Sequence, residues 1–549
     1  MSSALESHCI SFREIPQTTP LLSAFLEDFG SVASYYAHPP TATGIDAAAR
    51  EIAIDPDVRR TVAEVLREQN RSFGADASTQ KNIDRLAAGA AAIVTGQQVG
   101  IFSGPAYTLY KAISAIRCAE EATRRGTDAV PVFWLATEDH DLAEVNHCTW
   151  NTRKGLVQYD FPARAEDTGK RVGEIGFGEP IGTIVALAAQ SLEGAFVDDI
   201  VRILRESYTP EDTFGSAFGK LLARLFAGRG IIFMDPLDAR FHQLCVPVYR
   251  RAIEQNESLR EKLLARSKEL EQAGFHAQVK VTRESTLLFY NVDGRREPLR
   301  SRNGKFLAGK LSLSQDEVLS LLAKAPLDFT PNALFRPIIQ DTLLPTAAYI
   351  GGPGEIAYLA QSKVIYDGLL GHMPAILPRA SFTIVEAPVA NLLRKYELDL
   401  RDFFRGRQNL RAKMEEKVLP RALARRFEKD EKALQHLFDG YRHPLGKLDS
   451  TLSGVLDSGR RKMLYQFSKL KGKAARAEGF RTGVLDRHER ILIDSLYPHR
   501  DLQERSLCAL PFLAEYGLEF LDELAGVSPA PGTIEKLSCS QQHHVFFVK

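Results

Sequence analysis

Apolar residues form two patterns along the chain: short unbroken runs, and positions that recur at helical spacing. Together these patterns favour an α/β fold. Residues 91–94, AAIV, form a short apolar run, and residues 130–137, VPVFWLAT, form an almost unbroken one. Such runs are typical of strands buried on both faces of a parallel sheet. Between them, Tyr107, Tyr110 and Ile113 recur at helical spacing. Residues 91–137 therefore predict a strand–helix–strand unit.

The same alternation recurs further along the chain. Residues 230–235, GIIFMD, predict a strand, followed by a turn at Asp235-Pro236 and a helix. Near the N-terminus, Asp55 and Pro56 have the character of a helix cap and first-turn pair. Repeated strand–helix alternation predicts a doubly wound, Rossmann-like α/β core, which we assign to residues 1–387.

Two stretches interrupt this core. Residues 150–215 lack long periodicity, and residues 275–330 alternate between apolar and polar side chains. Within the second stretch, Asp293-Gly294 and Asn303-Gly304 are hairpin signals. We predict two insertions, of which the second is a small antiparallel β module.

The pattern changes to long, charged helices over residues 388–490. Leu445, Leu448 and Leu452 step by threes and fours, with charged residues in most gaps. This spacing predicts two long helices packed as an antiparallel coiled coil, with Pro444 near the start of the second helix. A dimerisation arm is favoured over an intramolecular helical hairpin. Residues 491–549 are predicted to pack back on the core.

Composition and charge narrow the class of protein. The 549-residue chain is 44% hydrophobic and 25% charged, with a formal net charge of +1. Near-neutrality gives no overall electrostatic drive toward nucleic acid or an anionic membrane. No signal peptide and no membrane-spanning run is predicted. The scattered cysteines predict reduced thiols in a cytoplasmic protein; they are Cys9, Cys118, Cys148, Cys245, Cys508 and Cys539.

The first candidate for chemistry is the junction after the first core strand. Ligands of open α/β sheets bind beyond the carboxyl ends of the strands, and helix N-termini attract anions. Lys111 is placed to reach back toward such an anion. Spacing alone does not distinguish an anion loop from a tight glycine turn. The junction comprises Thr95, Gly96, Gln97, Gln98, Ser103 and Gly104.

The second candidate, EDHD, follows the next strand at the same predicted sheet edge. Carboxylates around an imidazole suit acid–base catalysis or a divalent cation. The alternative is a capped and solvated helix start, but the position at the end of a strand favours function. The cluster is Glu138, Asp139, His140 and Asp141, with Glu144, Asn146 and His147 close behind.

The third candidate is GGPGEIAY, residues 351–358, whose turn lets backbone N–H groups approach a ligand. Glu355 could receive a substrate ammonium. A purely structural turn is an equal alternative. Upstream of it, FRPIIQD contains Arg336, and downstream of it PRASF contains Arg379. Both arginines are possible carboxylate or phosphate clamps.

At these residues the chain resembles the bacillithiol synthase family, the cysteine-adding ligases of bacillithiol biosynthesis. The resemblance runs along the whole chain. It implies a Rossmann-like core related to nucleotidylyl transferases and class I aminoacyl-tRNA synthetases, connecting-peptide insertions and a coiled coil that pairs two subunits. The motifs that carry it are TGQQVGIFSGPAYTLYKAISAI, PVFWLATEDHDLAEVNH, FRPIIQDTLLPTAAYIGGPGEIAY, PRASFT, LYPHRDLQER and HHVFFVK.

The resemblance implies amide formation between L-cysteine and glucosaminyl-malate. ATP, with Mg²⁺, is the expected activator of the cysteine carboxyl, through an adenylate or an acyl phosphate, and no tightly bound metal is expected. In this model His140 takes a proton from the sugar amine, tuned by Asp139 or Asp141, and Glu355 orients one substrate. Residues assigned to binding are Thr95, Gly96, Gln97, Gln98, Ser103, Gly104, Tyr107, Lys111, Asn146, His147, Arg336, Gln340, Asp341, Gly352, Gly354, Tyr358 and Arg379.

Two rival functions stay open at this point. One is a metal-dependent hydrolase, for example a deacetylase, that uses the cluster from Glu138 to His147. The other is a non-catalytic nucleotide-binding scaffold whose coiled coil recruits partners. Metal analysis separates the first from a ligase, and cellular thiol content separates the second.

Overall fold

The computed structural model describes residues 6–527 and 542–548, which fall into two compact units. The core unit comprises residues 9–382, 504–527 and 542–544, and the arm unit comprises residues 6–8, 383–503 and 545–548. Part of the predicted C-terminal segment lies outside the described residues, namely residues 528–541, which include Cys539, and Lys549.

The strands of the described residues are short, as in most α/β proteins. They are β1 (Glu6–Ile10), β2 (Ala91–Gln98), β3 (Ala129–Ala136), β4 (His147–Thr152), β5 (Gly155–Asp160), β6 (Ile232–Met234), β7 (Ser285–Val292), β8 (Arg295–Arg302), β9 (Lys305–Ala308), β10 (Leu311–Leu313), β11 (Phe329–Pro331), β12 (Thr346–Gly351), β13 (Ala375–Pro378), β14 (Phe382–Val385) and β15 (His543–Phe547).

Helices make up most of the remaining regular structure. None of those within the described ranges is both long and apolar enough to cross a bilayer. They are α1 (Pro20–Glu27), α2 (Ala42–Glu51), α3 (Pro56–Phe73), α4 (Ala77–Ala88), α5 (Tyr107–Arg124), α6 (Leu142–Val145), α7 (Pro180–Ser191), α8 (Val197–Ser207), α9 (Phe214–Leu225), α10 (Ala239–Glu254), α11 (Asn256–Gln272), α12 (Gln315–Lys324), α13 (Arg336–Leu343), α14 (Pro353–Leu369), α15 (Ala387–Tyr396), α16 (Leu400–Phe404), α17 (Arg407–Glu416), α18 (Arg421–Leu448), α19 (Leu452–Thr482), α20 (Val484–Leu496), α21 (Gln503–Ser506), α22 (Leu510–Tyr516) and α23 (Phe520–Val527).

The core unit is built on a parallel five-stranded sheet with the order β13–β12–β2–β3–β6. Its order reverses between β2 and β12, because the chain first adds β3 and β6 on one side and later β12 and β13 on the other. A reversal of this kind defines the ligand-binding switch point of a doubly wound sheet. The predicted Rossmann-like core is therefore confirmed.

Burial on both faces explains the apolar strand sequences. Val132, Phe133 and Trp134 of β3 are fully buried, so neither face of this strand needs polar side chains. Helix capping also follows the sequence at α3, where the Asp55 side chain accepts a hydrogen bond from the N–H of Asp57 and Pro56 occupies the first turn. Both local predictions are confirmed.

The predicted loop Thr95–Gln98 is wrong in its secondary structure, because these residues continue strand β2. The ladder with β3 runs without a break from Ala91 opposite Ala129 to Gln98 opposite Ala136. Glycine at position 96 permits this close pairing, since a Cβ there would lie 2.9 Å from the carbonyl oxygen of Trp134. The turn begins only after Gln98.

The two insertions differ in how well their sequences predict them. Strands β7 to β11 form an antiparallel sheet in the order β10–β9–β8–β7–β11. Asp293 and Asn303 adopt left-handed conformations in its turns, with φ of 51° and 50°, which confirms the hairpin prediction. Residues 150–215, in contrast, hold the β4–β5 hairpin and the helices α7 and α8. The sequence analysis missed the helical period of α8, whose apolar Ile200, Ile203 and Leu204 are buried on one face.

In the arm unit, α18 and α19 pack against each other as the predicted antiparallel coiled coil. The rings of Phe427 and Phe467 lie 5.4 Å apart, and Arg442 pairs with Asp457 across the helices at 2.5 Å. The position predicted for Pro444 is wrong, because it lies near the end of α18. Pro444 is exposed there, so water can replace the backbone hydrogen bond that proline cannot make.

The C-terminal segment is divided between the two units. Residues 491–503 belong to the arm unit and residues 504–527 to the core unit. Within the core unit, the Leu507 carbonyl accepts a hydrogen bond from the N–H of Ala106 at 2.7 Å, and the N–H of Cys508 donates to the carbonyl of Thr149 at 2.8 Å. These bonds attach residues 504–508 to the start of α5 and to β4.

A close approach behind β3 generates a test of this packing. The N–H of Gly173 donates to the carbonyl of Thr137 at 2.9 Å, and a Cβ on Gly173 would lie 2.9 Å from the Cα of Thr137. We expect Gly173→Ala to lower the free energy of unfolding by about 1–3 kcal/mol through overpacking. Urea denaturation measures this loss. The matched control is Gly176→Ala, because no atom lies within 4 Å of its added Cβ; equal stability of the two variants would contradict the packing.

Candidate active site

A cavity of about 630 Å³ opens at the carboxyl ends of β2, β3, β12 and β13. Its size suits a small-molecule ligand, and its place is the switch point of the sheet. The sheet and the helices that follow its strands supply most of the lining, and the antiparallel β module, its flanking residues and Arg505 of the C-terminal segment also contribute. Predicted site residues that line it are Gly96, Gln97, Gln98, Tyr107, Lys111, Asp139, His140, Arg336, Gly352, Gly354, Glu355, Tyr358 and Arg379.

Other predicted residues of the first junction and of the EDHD region do not line this cavity. The Thr95 hydroxyl donates to the carbonyl of Ile350 inside the sheet. Ser103 is buried beside Cys508, and Gly104 lies next to it, so neither forms the predicted anion loop. The remaining residues of the EDHD region make local contacts. Asp141 caps α6. Asn146 donates a hydrogen bond to the carbonyl of Phe161 and contacts His147.

Two further predicted residues lie behind the wall of the cavity. Gln340 accepts a hydrogen bond from Arg336 at 2.9 Å and donates one to Asp341 at 2.8 Å. Asp341 in turn accepts from the hydroxyl of Tyr366. Gln340 and Asp341 are buried, so they support Arg336 and do not face the cavity.

A buried ion pair joins two of the predicted motifs. Lys111 Nζ lies 2.5 Å from Glu355 Oε2 and also donates to the carbonyl of Gly96 and to Gln97 Oε1. Glu355 accepts two more hydrogen bonds, from the N–H of Gly352 and the hydroxyl of Tyr349. Lys111 and Glu355, predicted to contact an anion and an ammonium, thus balance each other's charge at the cavity wall, and their roles toward a ligand stay predictions.

The electrostatics of this pair follow from burial and proximity. Lys111 is 4% exposed, and burial lowers the pKa of its ammonium against the attraction of Glu355. Burial alone would raise the pKa of Glu355, but Lys111 overrides that effect and holds the pKa of this carboxyl below its usual value. The pair connects β2 and α5 to the start of α14, across the switch point.

Arg336 is the cation with the weakest local charge balance. It donates to Gln340, to the hydroxyl of Tyr349 at 3.1 Å and to the hydroxyl of Tyr358 at 3.2 Å, all neutral groups. Its guanidinium carbon lies 5.8 Å from the ring centre of Trp134. The structure records no ion pair for it in the described part of the chain, so an anionic ligand can supply its counter-charge.

Arg379 also faces the cavity but already has a carboxylate partner. Its Nη2 lies 2.7 Å from Glu504 Oε1, and its guanidinium carbon lies 5.1 Å from the ring centre of Tyr107. Arg505 lines the cavity close to it in the chain. The C-terminal segment therefore contributes both charge balance and lining to this wall.

The opposite wall carries Asp139 and His140. Asp139 Oδ2 accepts a hydrogen bond from Gln98 at 2.7 Å, and Oδ1 accepts one from the backbone N–H of His140 at 2.7 Å. Burial would raise the pKa of Asp139, but the adjacent His140 side chain, the bond from Gln98, the nearby Arg296 and the backbone N–H of His140 hold it well below its usual range. Asp139 is therefore ionised at neutral pH.

The imidazole of His140 has a defined hydrogen-bonding role. Its Nδ1 lies 2.9 Å from Arg296 Nη1 and 3.3 Å from Asp139 Oδ1. A guanidinium only donates hydrogen bonds, so Nδ1 is the acceptor and Nε2 carries the hydrogen in the neutral ring. In this state His140 presents a donor to the cavity, whereas the sequence predicted a proton acceptor.

Glu138, the first residue of the EDHD cluster, also lines the cavity. Its side chain is nearly buried, and His242 Nε2 of α10 lies 3.5 Å from its Oε1. Burial raises the pKa of Glu138 to about 7, although Arg296 acts in the opposite direction. Glu138 therefore titrates near neutral pH.

Sequence reasoning missed Arg296 and gave Glu138 no specific role. Arg296 comes from β8 of the inserted module, within the arginine-rich run RREPLR, which carries no recognisable motif. The apolar run before Glu138 signalled burial, and burial is the cause of its raised pKa. The apolar run at residues 130–137 is therefore the sequence signal that identifies Glu138 as a buried carboxyl.

The predicted acidic cluster is divided by the fold. Glu138 to His140 face the cavity, whereas Asn146 and His147 lie toward the β4–β5 hairpin. Among residues 6–527 and 542–548, no group of three or more histidine, cysteine, aspartate or glutamate side chains is arranged to hold a metal ion. A hydrolase that uses the whole cluster from Glu138 to His147 as one metal site is not favoured.

Comparison with known proteins covers nearly the whole chain. The family description "Bacillithiol biosynthesis BshC, N-terminal Rossmann-like domain" matches residues 5–380, and "Bacillithiol biosynthesis BshC, C-terminal coiled-coil domain" matches residues 382–531.

Several similar chains carry the name "Putative cysteine ligase BshC". The protein from Koribacter versatilis is 41% identical over 95% of this chain and 98% of its own. The protein from Solibacter usitatus is 36% identical over 93% of this chain and 95% of its own. A solved structure, that of a "putative arginyl t-RNA synthetase" from Campylobacter jejuni, aligns at 10% identity over 88% of this chain and 100% of its own, with a TM-score of only 0.24.

The Lys111–Glu355 pair yields a test of the site's construction. Lys111→Met leaves the buried Glu355 carboxylate without its counter-ion, and Glu355→Gln leaves the buried Lys111 ammonium without its counter-ion. Each variant is expected to lower the free energy of unfolding by about 3–5 kcal/mol. The double variant should lose clearly less than the sum, because no unpaired charge remains. Denaturation of the four proteins in urea measures the coupling.

The matched control is Arg60→Met, which breaks the exposed pair with Asp57. Its expected cost is about 0–1 kcal/mol. Strict additivity of the Lys111 and Glu355 losses would show that the two groups do not form the coupled pair described above.

Proposed function

Since the chain belongs to the bacillithiol biosynthesis BshC family, we propose that it is a cysteine ligase that joins L-cysteine to glucosaminyl-malate through an amide bond. The observation that supports this most strongly is the family match along both units. The cavity at the switch point adds chemical support, because it combines cations, an ionised carboxylate and a carboxyl that titrates near neutrality.

Formation of an amide from a carboxylate and an amine is uphill in water, so the cysteine carboxyl requires activation. We propose ATP, accompanied by Mg²⁺, as the co-substrate that supplies it. An adenylate and an acyl phosphate both satisfy this requirement. The two are distinguished by the released product, which is AMP with pyrophosphate in the first case and ADP with phosphate in the second.

The cationic wall suits the malate end of the acceptor. Malate contributes two carboxylates, and guanidinium groups bind carboxylates through paired hydrogen bonds. Arg336 has neutral partners only among the described residues, so a carboxylate there would complete its charge balance. Arg379 contributes to the same wall, although Glu504 already balances its charge.

The acidic wall suits an ammonium or an amine. Asp139 is ionised, and Gln98 Nε2 donates to both Asp139 and Glu144, which places the two carboxylates on one side of the cavity. The cysteine ammonium fits this wall. His140 presents Nε2–H beside it, where a donor can stabilise negative charge on a carbonyl oxygen during amide formation.

A kinetic assay with cysteine, glucosaminyl-malate and ATP tests this proposal. The wild-type chain should form product only with all three substrates. Arg336→Gln is expected to raise KM for glucosaminyl-malate about tenfold to a hundredfold, since a charge-assisted hydrogen bond contributes about 1.5–3 kcal/mol. Arg336→Lys should recover part of the loss, and the surface variant Arg60→Gln should behave as wild type. His140→Ala and Glu355→Ala should lose most activity.

Absence of product from the folded wild-type chain would contradict the ligase proposal. A second measurement addresses the scaffold alternative: deletion of the gene should abolish bacillithiol and cause glucosaminyl-malate to accumulate. Unchanged cellular thiols would remove the proposed role.

We propose further that the chain forms a homodimer through the α18–α19 coiled coil. The exposed faces of these helices carry large apolar side chains, including Leu437, Tyr441 and Val455, which are 57%, 54% and 67% exposed. Exposed apolar groups on a charged coiled coil are typical of a further helical partner.

Light scattering of the purified protein tests the dimer. The expected mass is twice 61.0 kDa, and the variant Leu437→Glu/Val455→Glu should fall to the monomer mass because it places charge in the interface. The matched control is Leu187→Glu, which changes a 53% exposed leucine of the core unit and should stay dimeric. A wild-type monomer, or a dimeric double variant, would contradict this proposal.

A further inference from the structure

One carboxyl group that lines the cavity differs from the others in its hydrogen-bond partners. Four carboxyl side chains line the cavity, those of Glu138, Asp139, Glu144 and Glu355. Asp139 and Glu144 accept hydrogen bonds from Gln98, and Glu355 accepts them from Gly352 and Tyr349. No hydrogen bond to the Glu138 carboxyl is recorded from the described residues, where its nearest ionisable partner is His242 at 3.5 Å.

The neighbours of Glu138 come from several elements and carry mixed charge. Arg296 of β8, Arg336 of α13 and Arg171 favour its ionised form, whereas Asp235, after β6, opposes it. None of these arginines forms a recorded ion pair with it. Tyr249 and Cys245 of α10 face it as neutral groups, since burial raises both of their pKa values.

His242 does not act as a counter-ion to Glu138. The imidazole is 3% exposed, and burial lowers its pKa to about 4. It is therefore neutral at physiological pH, and its Nδ1 is buried without a hydrogen-bond partner among the described residues. A neutral ring beside the carboxyl leaves burial as the dominant effect, which agrees with a pKa of about 7 for Glu138.

The other candidate for proton transfer is engaged. Arg296 donates to His140 Nδ1, so Nε2 of the neutral ring already carries a hydrogen and has no lone pair for a proton. A general base works best when its pKa lies near the operating pH. Glu138 meets this condition, and it lies at the carboxyl end of β3, two residues before His140.

We propose that Glu138 is the general base of the ligation, an inference that rests on the proposed function. The sugar amine attacks the carbonyl carbon of the activated cysteine carboxyl, and the nitrogen–carbon bond forms. The bond from that carbon to the phosphate oxygen of the activating group breaks, and the nucleotide or phosphate leaves with the electron pair. The proton lost by the nitrogen passes to the Glu138 carboxylate, which later releases it to water.

Kinetics of Glu138→Gln and Glu138→Asp test this assignment. Glu138→Gln should lower kcat about 10²–10⁴-fold, the usual contribution of a general base, while KM values stay within a few-fold. Wild-type kcat should rise with pH and level off above about 7, because the base must be deprotonated. Glu138→Gln should lose this rise, and Glu138→Asp should keep it at reduced kcat. The matched control is Glu120→Gln, which changes a half-exposed glutamate of α5.

A stability measurement gives a readout that needs no activity. Because the folded pKa of Glu138 lies above its unfolded value, the folded state binds more protons, and its stability falls as pH rises from about 4.5 through 7. Replacement by glutamine removes this loss. The Tm of Glu138→Gln relative to wild type should therefore increase from pH 5 to pH 8, whereas that of Glu120→Gln should not change.

The outcomes separate this inference from the proposed function. If the folded wild-type chain forms no product, the ligase proposal is wrong and the inference fails with it. If the wild type forms product and Glu138→Gln keeps its kcat and pH profile, the inference alone is wrong. If Glu138→Gln does not fold, Glu138→Asp decides the matter, since a kcat within twofold of wild type would overturn the assignment.

Discussion

The parallel register of the central sheet is the constraint on which the site depends. Because β2, β3, β12 and β13 run in one direction, residues that follow their carboxyl ends meet at one edge although they lie far apart in the chain. The reversal of strand order between β2 and β12 opens a crevice there. The Lys111–Glu355 pair joins α5 to α14 across this crevice. Both side chains also line the cavity, so the same ion pair connects its two sides and forms part of its wall.

Within the cavity, neighbouring carboxyls in the sequence differ in ionisation because their hydrogen-bond partners differ. Asp139 accepts from Gln98 and from the backbone of His140, which holds its pKa low. Glu138, one residue earlier, accepts no recorded hydrogen bond among the described residues, and burial outweighs the nearby arginines and raises its pKa. Two carboxyls whose pKa values are separated in this way can serve different roles at one pH, one as a fixed charge and the other as a proton carrier.

Sequence patterns predicted those features that depend on local order. The apolar runs identified β2 and β3, Asp55-Pro56 identified the start of α3, and Asp293-Gly294 and Asn303-Gly304 identified hairpin turns. The end of β2 was misjudged because Gln97 and Gln98 are polar, although β3 pairs with them to the last residue. At the end of β2 the backbone pairs with β3, while the polar side chains of Gln97 and Gln98 line the cavity. Polar residues alone therefore do not indicate a loop.

Contacts between distant segments could not be predicted in the same way. Lys111 and Glu355 were both selected as site residues, but no local pattern indicates that they pair with each other. Arg296 determines the tautomer of His140 from within an insertion that showed only alternation and turn signals. Its position 156 residues away means that the hydrogen-bonding role of His140 is a property of the assembled core unit. The β module thus contributes to the chemistry of the sheet edge, because without the Arg296 guanidinium Nδ1 could carry the hydrogen and donate it to Asp139 Oδ1, 3.3 Å away, which would leave the lone pair on Nε2.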